Sequence, residues 1–316
     1  MARAPEDAGN AEDLLRRADM AMRSAKRSAA GFVVYAAAID QYEPHRLTLM
    51  GELSHAIEHD QLSLFYQPKV SFKTHRIVGV EALLRWVHPE RGMITPDQFI
   101  PLAEKTGAIQ RLTQWVLKSA IRQSLIWRRA DHQISVSLNL SVRNLLEPAF
   151  PSRVLAILDT EGASAEGITM EITESALMVD PAKARNVLIF LSQHGIRFSI
   201  DDFGTGYSSL AYLKHLPVSE IKIDKIFVSK LMTDADNTTI VRSTIDLGHN
   251  LALSVTAEGV EDQETWNSLG ALGCDDAQGY FMCRPLPVDQ LDRWLRESKW
   301  GLAPSDEKSK RPASSA

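Results

Sequence analysis

Two rhythms of apolar residues divide the chain. Short strand-like runs fall at 62–66, 77–85, 134–141, 168–173, 197–202, 220–224, 254–258 and 275–279. From the second run onward most intervals carry helical spacing instead, as at 110–129, 182–194, 234–250 and 262–272. Strands that alternate with helices predict parallel βαβ units. Eight strands in roughly 250 residues predict an α/β fold, a TIM-like (β/α)₈ barrel. One interval breaks the rule. About ten residues, Gln67 to Arg76, separate the first two strands, and they include Pro68 and polar turn residues. A parallel crossover needs roughly a dozen residues or more, so the first strand is predicted to run antiparallel to the second.

Ahead of the barrel the pattern is thinner. Residues 1–10 are small and polar and are expected to lack structure. From Glu12 to Arg27, Leu14, Ala18, Ala21, Met22 and Ala25 recur at helical spacing, and Phe32 to Tyr35 reads as a strand. A helix and one strand cannot bury a core. This segment is either packed on the main domain or left over from a truncated one. Leu47, Met50, Leu53 and Ile57 mark a second helical stripe. The polar stretch from Ala303 reads as a disordered tail, within a final segment drawn at 301–316.

Composition narrows the classes. The chain has 316 residues, 44% hydrophobic, with a net charge of −5. That suits a globular core and gives no sign of a broad basic surface for a nucleic-acid polymer. An anionic substrate would then be held by a few local cations or by metals. The two cysteines, Cys274 and Cys283, have neither metal-type nor disulfide-framework spacing, so a reducing cytoplasm is the default. No apolar run approaches the ~20 residues that span a bilayer, and no signal-peptide pattern opens the chain.

The strands are interrupted by polar residues. Glu81, Asn139, Glu171, Asp201 with Asp202, Lys222, Glu258 and Gln278 each sit in or at the end of an apolar run. Taken singly, such a residue is more readily an exterior position, and Asp224 is read that way. The same explanation must be invoked seven times in succession to cover the set. A buried lone carboxylate costs several kcal/mol unless paired or metal-bound. Oxygen donors at strand C-termini converge where barrels place active sites. All-oxygen ligation selects hard cations such as Mg²⁺ or Mn²⁺, and adjacent aspartates can serve two ions. Among so many carboxylates Lys222 is read as a cation inside the site. The nine histidines show no paired ligand spacing and are read as surface or loop residues, His88 before Pro89 among them. Gly204-Thr205-Gly206 is read either as a tight turn or as a functional loop.

These residues stand in motifs that resemble the EAL domain family. The matches are Tyr66-Gln67-Pro68, Glu81-Ala82-Leu83-Leu84-Arg85-Trp86, Asn139-Leu140-Ser141, Glu171-Ile172-Thr173-Glu174 and Asp201-Asp202-Phe203-Gly204-Thr205-Gly206-Tyr207-Ser208-Ser209. They continue through Ile221-Lys222-Ile223-Asp224, Ala257-Glu258-Gly259-Val260-Glu261 and Gln278-Gly279-Tyr280, over residues 45 to 297. The resemblance implies a domain at 41–300 that binds cyclic-di-GMP and cuts it to linear pGpG with two Mg²⁺ or Mn²⁺ ions. It implies Glu81, Asn139, Glu171 and Asp201 as ligands of one ion, and Asp201, Asp202 and Glu258 as the bridging or second-ion set. Lys222 matches the lysine on the attacking water. Gln67, Arg85 and Gln278 match substrate-side residues, Glu261 an outer carboxylate, and Glu174 the anchor of loop 203–209. A homodimer and a place in second-messenger signalling are implied as well. Residues 1–40 resemble, from Ala18 to Lys26, the last helix of a GGDEF domain. The chain is therefore expected to be part of a longer protein whose other segments carry sensors or an inner-membrane anchor, without cyclase activity of its own. Two rivals stand beside this: an EAL domain that only senses cyclic-di-GMP, and an unrelated metal-dependent barrel such as an aldolase or isomerase.

Overall fold

The structure is a computed structural model, and it describes residues 1–27, 32–206 and 210–302. Among these, ten strands form one sheet: β1 (Leu62–Ser71), β2 (Ile77–His88), β3 (Gly92–Ile94), β4 (Ser135–Asn139), β5 (Ile168–Thr173), β6 (Arg197–Phe203), β7 (Glu220–Ile223), β8 (Ser254–Glu258), β9 (Asp276–Gln278) and β10 (Leu286–Pro287). From β2 through β4 to β9 successive neighbours are parallel. β1 runs antiparallel to both β2 and β9 and closes an eight-strand barrel. β3 and β10, absent from the sequence pattern, are three and two residues long and pair antiparallel with β2 and β1 outside the barrel ring.

The apolar core lies between the strands and the helices, not inside the ring. Along β4 to β8, residues alternate with period two. Val136, Leu138, Ile168, Met170, Ile172, Phe198, Ile200 and Ile221 join one cluster with helix residues such as Leu112, Ile121, Val154 and Leu188. Ile223, Val255 and Ala257 pack with Val228, Val241, Ile245 and Leu269 in a second. The intervening positions, Ser137, Asn139, Thr169, Glu171, Ser199, Asp201, Glu220, Lys222, Thr256 and Glu258, belong to the other face. Helix starts are set by side-chain caps: Asp180 accepts from the Lys183 amide at 3.1 Å and Asp262 from the Thr265 amide at 2.7 Å.

Several expectations need correction. β1 does not end at 66 but runs on to Ser71, so only 72–76 turn the chain. The antiparallel direction stands, through a tighter hairpin than expected. Pro68 is tolerated because it falls where β1 leaves β10 and takes up β9. Phe32 to Tyr35 forms no strand; the Tyr35 amide donates to the Met1 carbonyl at 2.7 Å, and Phe32 is exposed. Residues 1–10 are not structureless: Asp7 accepts from the Arg3 amide at 2.6 Å and Ala8 is buried. In the helix Ala11–Arg27, Ala21 and Ala25 are buried while Met22 points out. In the helix Ala37–Glu58, Leu49, Leu53 and Ala56 are buried and Met50 and Ile57 half-buried; the Leu47 side chain and the tail from 303 lie outside what is described. His88 is no surface residue. It is buried at the end of β2, its Nε2 3.3 Å from the Glu52 carboxylate. Among the described residues no helix is long and apolar enough to cross a membrane.

Candidate active site

The inward polar positions nearest the strand ends meet at the C-terminal mouth of the barrel. Register sets them side by side: Gln67 lies opposite Glu81, Asn139 beside Glu171, and Glu258 beside Gln278. Lys222 stands at the centre, fully buried, with its Nζ 2.5 Å from Glu258, 2.7 Å from Glu171, 3.3 Å from Asp201 and 3.4 Å from Glu81. One ammonium thus faces four carboxylates. Burial disfavours its charge, but these neighbours outweigh burial and hold it well above the ordinary lysine range.

The carboxylates differ by surroundings. Burial alone would raise Glu171, yet Lys222 and a second buried lysine, Lys69, pull it down to about 2. Glu81 is raised, chiefly by burial, with Lys222 opposing. Its Oε1 accepts from Asn139 at 2.6 Å and its Oε2 from Gln278 at 2.6 Å. Glu258 is pushed up to about 8 by burial, with Asp201 and Glu81 adding to it against Lys222. Asp202 is pushed up to about 7 by burial and then by Asp201, with Asp224 adding to it.

Adjacent residues of a regular strand point to opposite faces. Asp201 and Asp202 escape this rule because the β6–β7 register shifts between Ile200 and Phe203, and Asp202 takes a left-handed φ of 54°. Oxygens of Asp201, Asp202 and Glu258 consequently lie within 4.8 Å of one another. This all-oxygen set fits a hard divalent cation, whose charge would relieve the strained ionisation of Asp202 and Glu258. The fully buried Gln278 Oε1, with no partner, is a further acceptor beside it.

The remaining expected residues are distributed around this centre. Gln67 receives a hydrogen bond from Gln278 at 3.1 Å and donates to the Cys283 carbonyl at 3.1 Å. Glu261 is exposed at the rim of a cavity of about 300 Å³ that Gln67, Glu81, Asp201, Glu258 and Tyr280 also line. Arg85 makes no ion pair with the carboxylates, although Glu81 acts on its charge from a distance. It sits half-buried further along β2, its guanidinium 5.6 Å over the Phe65 ring and donating to the Leu84 carbonyl. Glu174 is buried and accepts from the amides of Gly204 at 3.0 Å and Gly206 at 3.3 Å; of loop 203–209, the described part ends at Gly206.

Sequence reasoning missed two members. Lys69 lies just beyond Pro68, in residues taken for a turn. Asp224, taken for an exterior position, is buried; it caps the helix Lys225–Val228 and adjoins Asp202. Gly279 matters sterically: a Cβ there would collide with the backbone oxygen and nitrogen of Val260. Gly279→Ala is therefore expected to cost about 1–3 kcal/mol, read as a fall in Tm of several degrees.

Comparison with known proteins adds an independent line. The sequence pattern described as the EAL domain matches residues 50–285. The chain is 41% identical over 289 residues to the bifunctional diguanylate cyclase/cyclic di-GMP phosphodiesterase MucR of Pseudomonas aeruginosa, covering 91% of this chain and 42% of that protein. A cyclic di-GMP phosphodiesterase of the same organism is 35% identical over 286 residues, covering 90% of this chain and 49% of that protein. The chain thus spans less than half the length of these relatives. A solved structure of a MucR phosphodiesterase in complex with c-di-GMP superposes with a TM-score of 0.75 at 44% identity, over 77% of this chain and 99% of that one.

Proposed function

Because the chain belongs to the EAL domain family, we propose that it is a metal-dependent phosphodiesterase that hydrolyses cyclic-di-GMP to linear 5′-pGpG. The observation that carries this is the gathering of Asp201, Asp202 and Glu258 on the Lys222 cluster, at strand ends in one barrel mouth. Asp201, Asp202 and Glu258, with Glu81, Asn139 and Glu171, would hold two Mg²⁺ or Mn²⁺ ions. Bound there, the ions supply Lewis acidity to the phosphate and lower the pKa of a water.

The chain's own residues do the rest. Lys222, kept charged, donates N–H bonds to the attacking water and fixes its approach. Glu258, in contact with it at 2.5 Å, is placed to take the water's proton. A bond forms from the water oxygen to phosphorus; the bond from phosphorus to the 3′-oxygen breaks, and that oxygen takes up a proton, restoring through solvent the one passed to Glu258. Gln67 and Gln278 hold the nucleotide above Glu81, and Arg85 meets a phosphate when its guanidinium swings from Phe65. Glu174 holds the start of loop 203–209 against β6, and Glu261 closes the rim. Neither cysteine serves as a nucleophile; both are buried, and their thiols are pushed up by burial.

The setting we propose is a cytoplasmic domain of a longer signalling protein, dimeric, with residues 1–40 as the end of a preceding GGDEF-like domain and 41–300 as the catalytic unit. The relatives' greater length and the bifunctional name of one of them support that setting. The test is product analysis of the purified chain with cyclic-di-GMP and Mn²⁺ or Mg²⁺, beside Glu81→Ala and a chelator. Linear pGpG from the wild type, lost in both controls, is the expected result. Intact nucleotide after long incubation overturns the assignment, and tight binding without cleavage would make the domain a receptor.

A further inference from the structure

We propose that Lys69 is a positioning residue of this site, holding Glu171 from beneath in the orientation in which it meets Lys222; the proposal rests on the phosphodiesterase assignment above. β1 runs against the other strands, so its side chains enter the barrel in reverse order. Gln67 reaches the mouth, and Lys69, two residues on and on the same face, reaches the layer below. The side chain is 5% exposed. An ammonium has three donors. Those of Lys69 reach Ser137 Oγ at 3.0 Å, Glu171 Oε1 at 2.8 Å and Glu220 Oε1 at 3.1 Å.

The anchor is itself fixed. Glu220 accepts from Thr256 Oγ1 at 2.6 Å, so Lys69 ties β1 to β4, β5 and β7, and through Thr256 to β8. The fully buried Glu171 carboxylate is gripped at both oxygens: Oε1 by Lys69 and Oε2 by Lys222 at 2.7 Å. Its plane cannot turn while both hold. Without Lys69, Oε1 would lose its donor. The carboxylate would then turn toward Lys222 and draw that ammonium away from Glu258, Asp201 and Glu81. Lys69 touches none of those three; besides the direct repulsion between its charge and that of Lys222, its influence on them runs through Glu171. Beneath it a polar cavity of about 420 Å³, lined by Ser137, Glu220 and Asp276 among others, lets water reach a shorter or apolar side chain at 69.

The experiment compares the full chain with Lys69→Met and with Lys69→Met/Glu220→Gln, in which the orphaned carboxylate is also neutralised and its Thr256 bond kept. Three quantities are read: Tm, kcat and KM on cyclic-di-GMP, and Kd for Mn²⁺ by calorimetry without nucleotide. The double variant is expected to melt near the wild type, yet both variants lose about 10–100-fold in kcat with KM within about threefold. Mn²⁺ should bind about tenfold more weakly to both. A role through charge alone predicts the opposite sign, tighter Mn²⁺ binding once a nearby positive charge is gone. Tighter binding, or recovery of kcat together with Tm in the double variant, overturns the proposal. So does failure of both variants to fold, which would leave Lys69 a residue of the fold. An inert wild type removes the phosphodiesterase assignment instead, and the Mn²⁺ titration still decides on Lys69.

Discussion

Lys222→Met is expected to stop cyclic-di-GMP turnover, by about 10³-fold, and to lower Tm by about 10 °C. Methionine roughly keeps the volume and removes the charge. In the wild type the ammonium is the shared counter-charge of Glu81, Glu171, Asp201 and Glu258, all within 3.4 Å of it. Removing one member of a buried ionic cluster costs about 3–5 kcal/mol, because the others stay buried without compensation. The loss has a signature that separates it from simple misfit. Acidification protonates the stranded carboxylates, so the Tm deficit of Lys222→Met relative to the wild type should shrink at low pH, whereas that of Gly279→Ala, whose clash is steric, should stay constant. Thermal melts of both variants from pH 5 to 8, with initial rates of pGpG formation, would check this. Turnover of Lys222→Met within tenfold of wild type would remove the lysine from the reaction centre.

Stability in the absence of divalent ions should fall as pH rises from about 5 to about 8.5, and divalent ions should flatten that fall. In the fold Asp202 and Glu258 are pushed up to about 7 and about 8, whereas the unfolded chain releases those protons at ordinary carboxylate values. Between these limits the folded state binds more protons, so stability is full below the unfolded values and is lost as pH passes 7 and then 8. Glu171 acts in the opposite sense. Held at about 2, it contributes above its unfolded value and loses that contribution in acid. An optimum in the weakly acidic range follows for the metal-free chain. Mg²⁺ or Mn²⁺ takes the ionised carboxylates and displaces the protons, so affinity should climb with pH, by up to about tenfold per unit for each proton released. Melts at pH 5 to 9 with chelator and with Mn²⁺ give the comparison. Curves that stay parallel would place the metal away from Asp202 and Glu258.

The site was legible where chemistry interrupts a strand at its end. Asn139, Glu171, Lys222, Glu258 and Gln278 stand out because each breaks an apolar run, and period two sends them to the same side. Lys69 was hidden for a local reason. Pro68 ordinarily ends a central strand, and only the change of partner from β10 to β9 at that point lets β1 continue past it. Spacing alone puts Asp201 and Asp202 on opposite faces; what unites them is a bulge and one left-handed residue, neither encoded by a glycine. His88 and Asp224 look like loop residues because proline or a short helix follows, but their burial depends on partners far off in sequence, Glu52 and Asp202. Arg85 shares the face of Glu81 four residues further along β2, but its place over the Phe65 ring depends on β1, which its own motif does not express. The barrel itself was readable from strand count, and β3 and β10, which pair with β2 and β1 outside the ring, were not.

The way β1 closes the ring also bears on how the chain must be made. Gln67 meets Gln278 and Cys283 across 211 and 216 positions of sequence. β1 and β2 can form their hairpin as soon as residue 88 is free, but the other edge of β1 waits for β9 and β10. Until those last strands emerge, β1 and β8 both offer unpaired backbone, and the polar interior opens to water along one seam. Folding of such distant pairings is slow, and synthesis proceeds from the other end. During translation the nascent barrel is therefore an open sheet with two adhesive edges, and the stretch from β9 to β10 acts as the clasp.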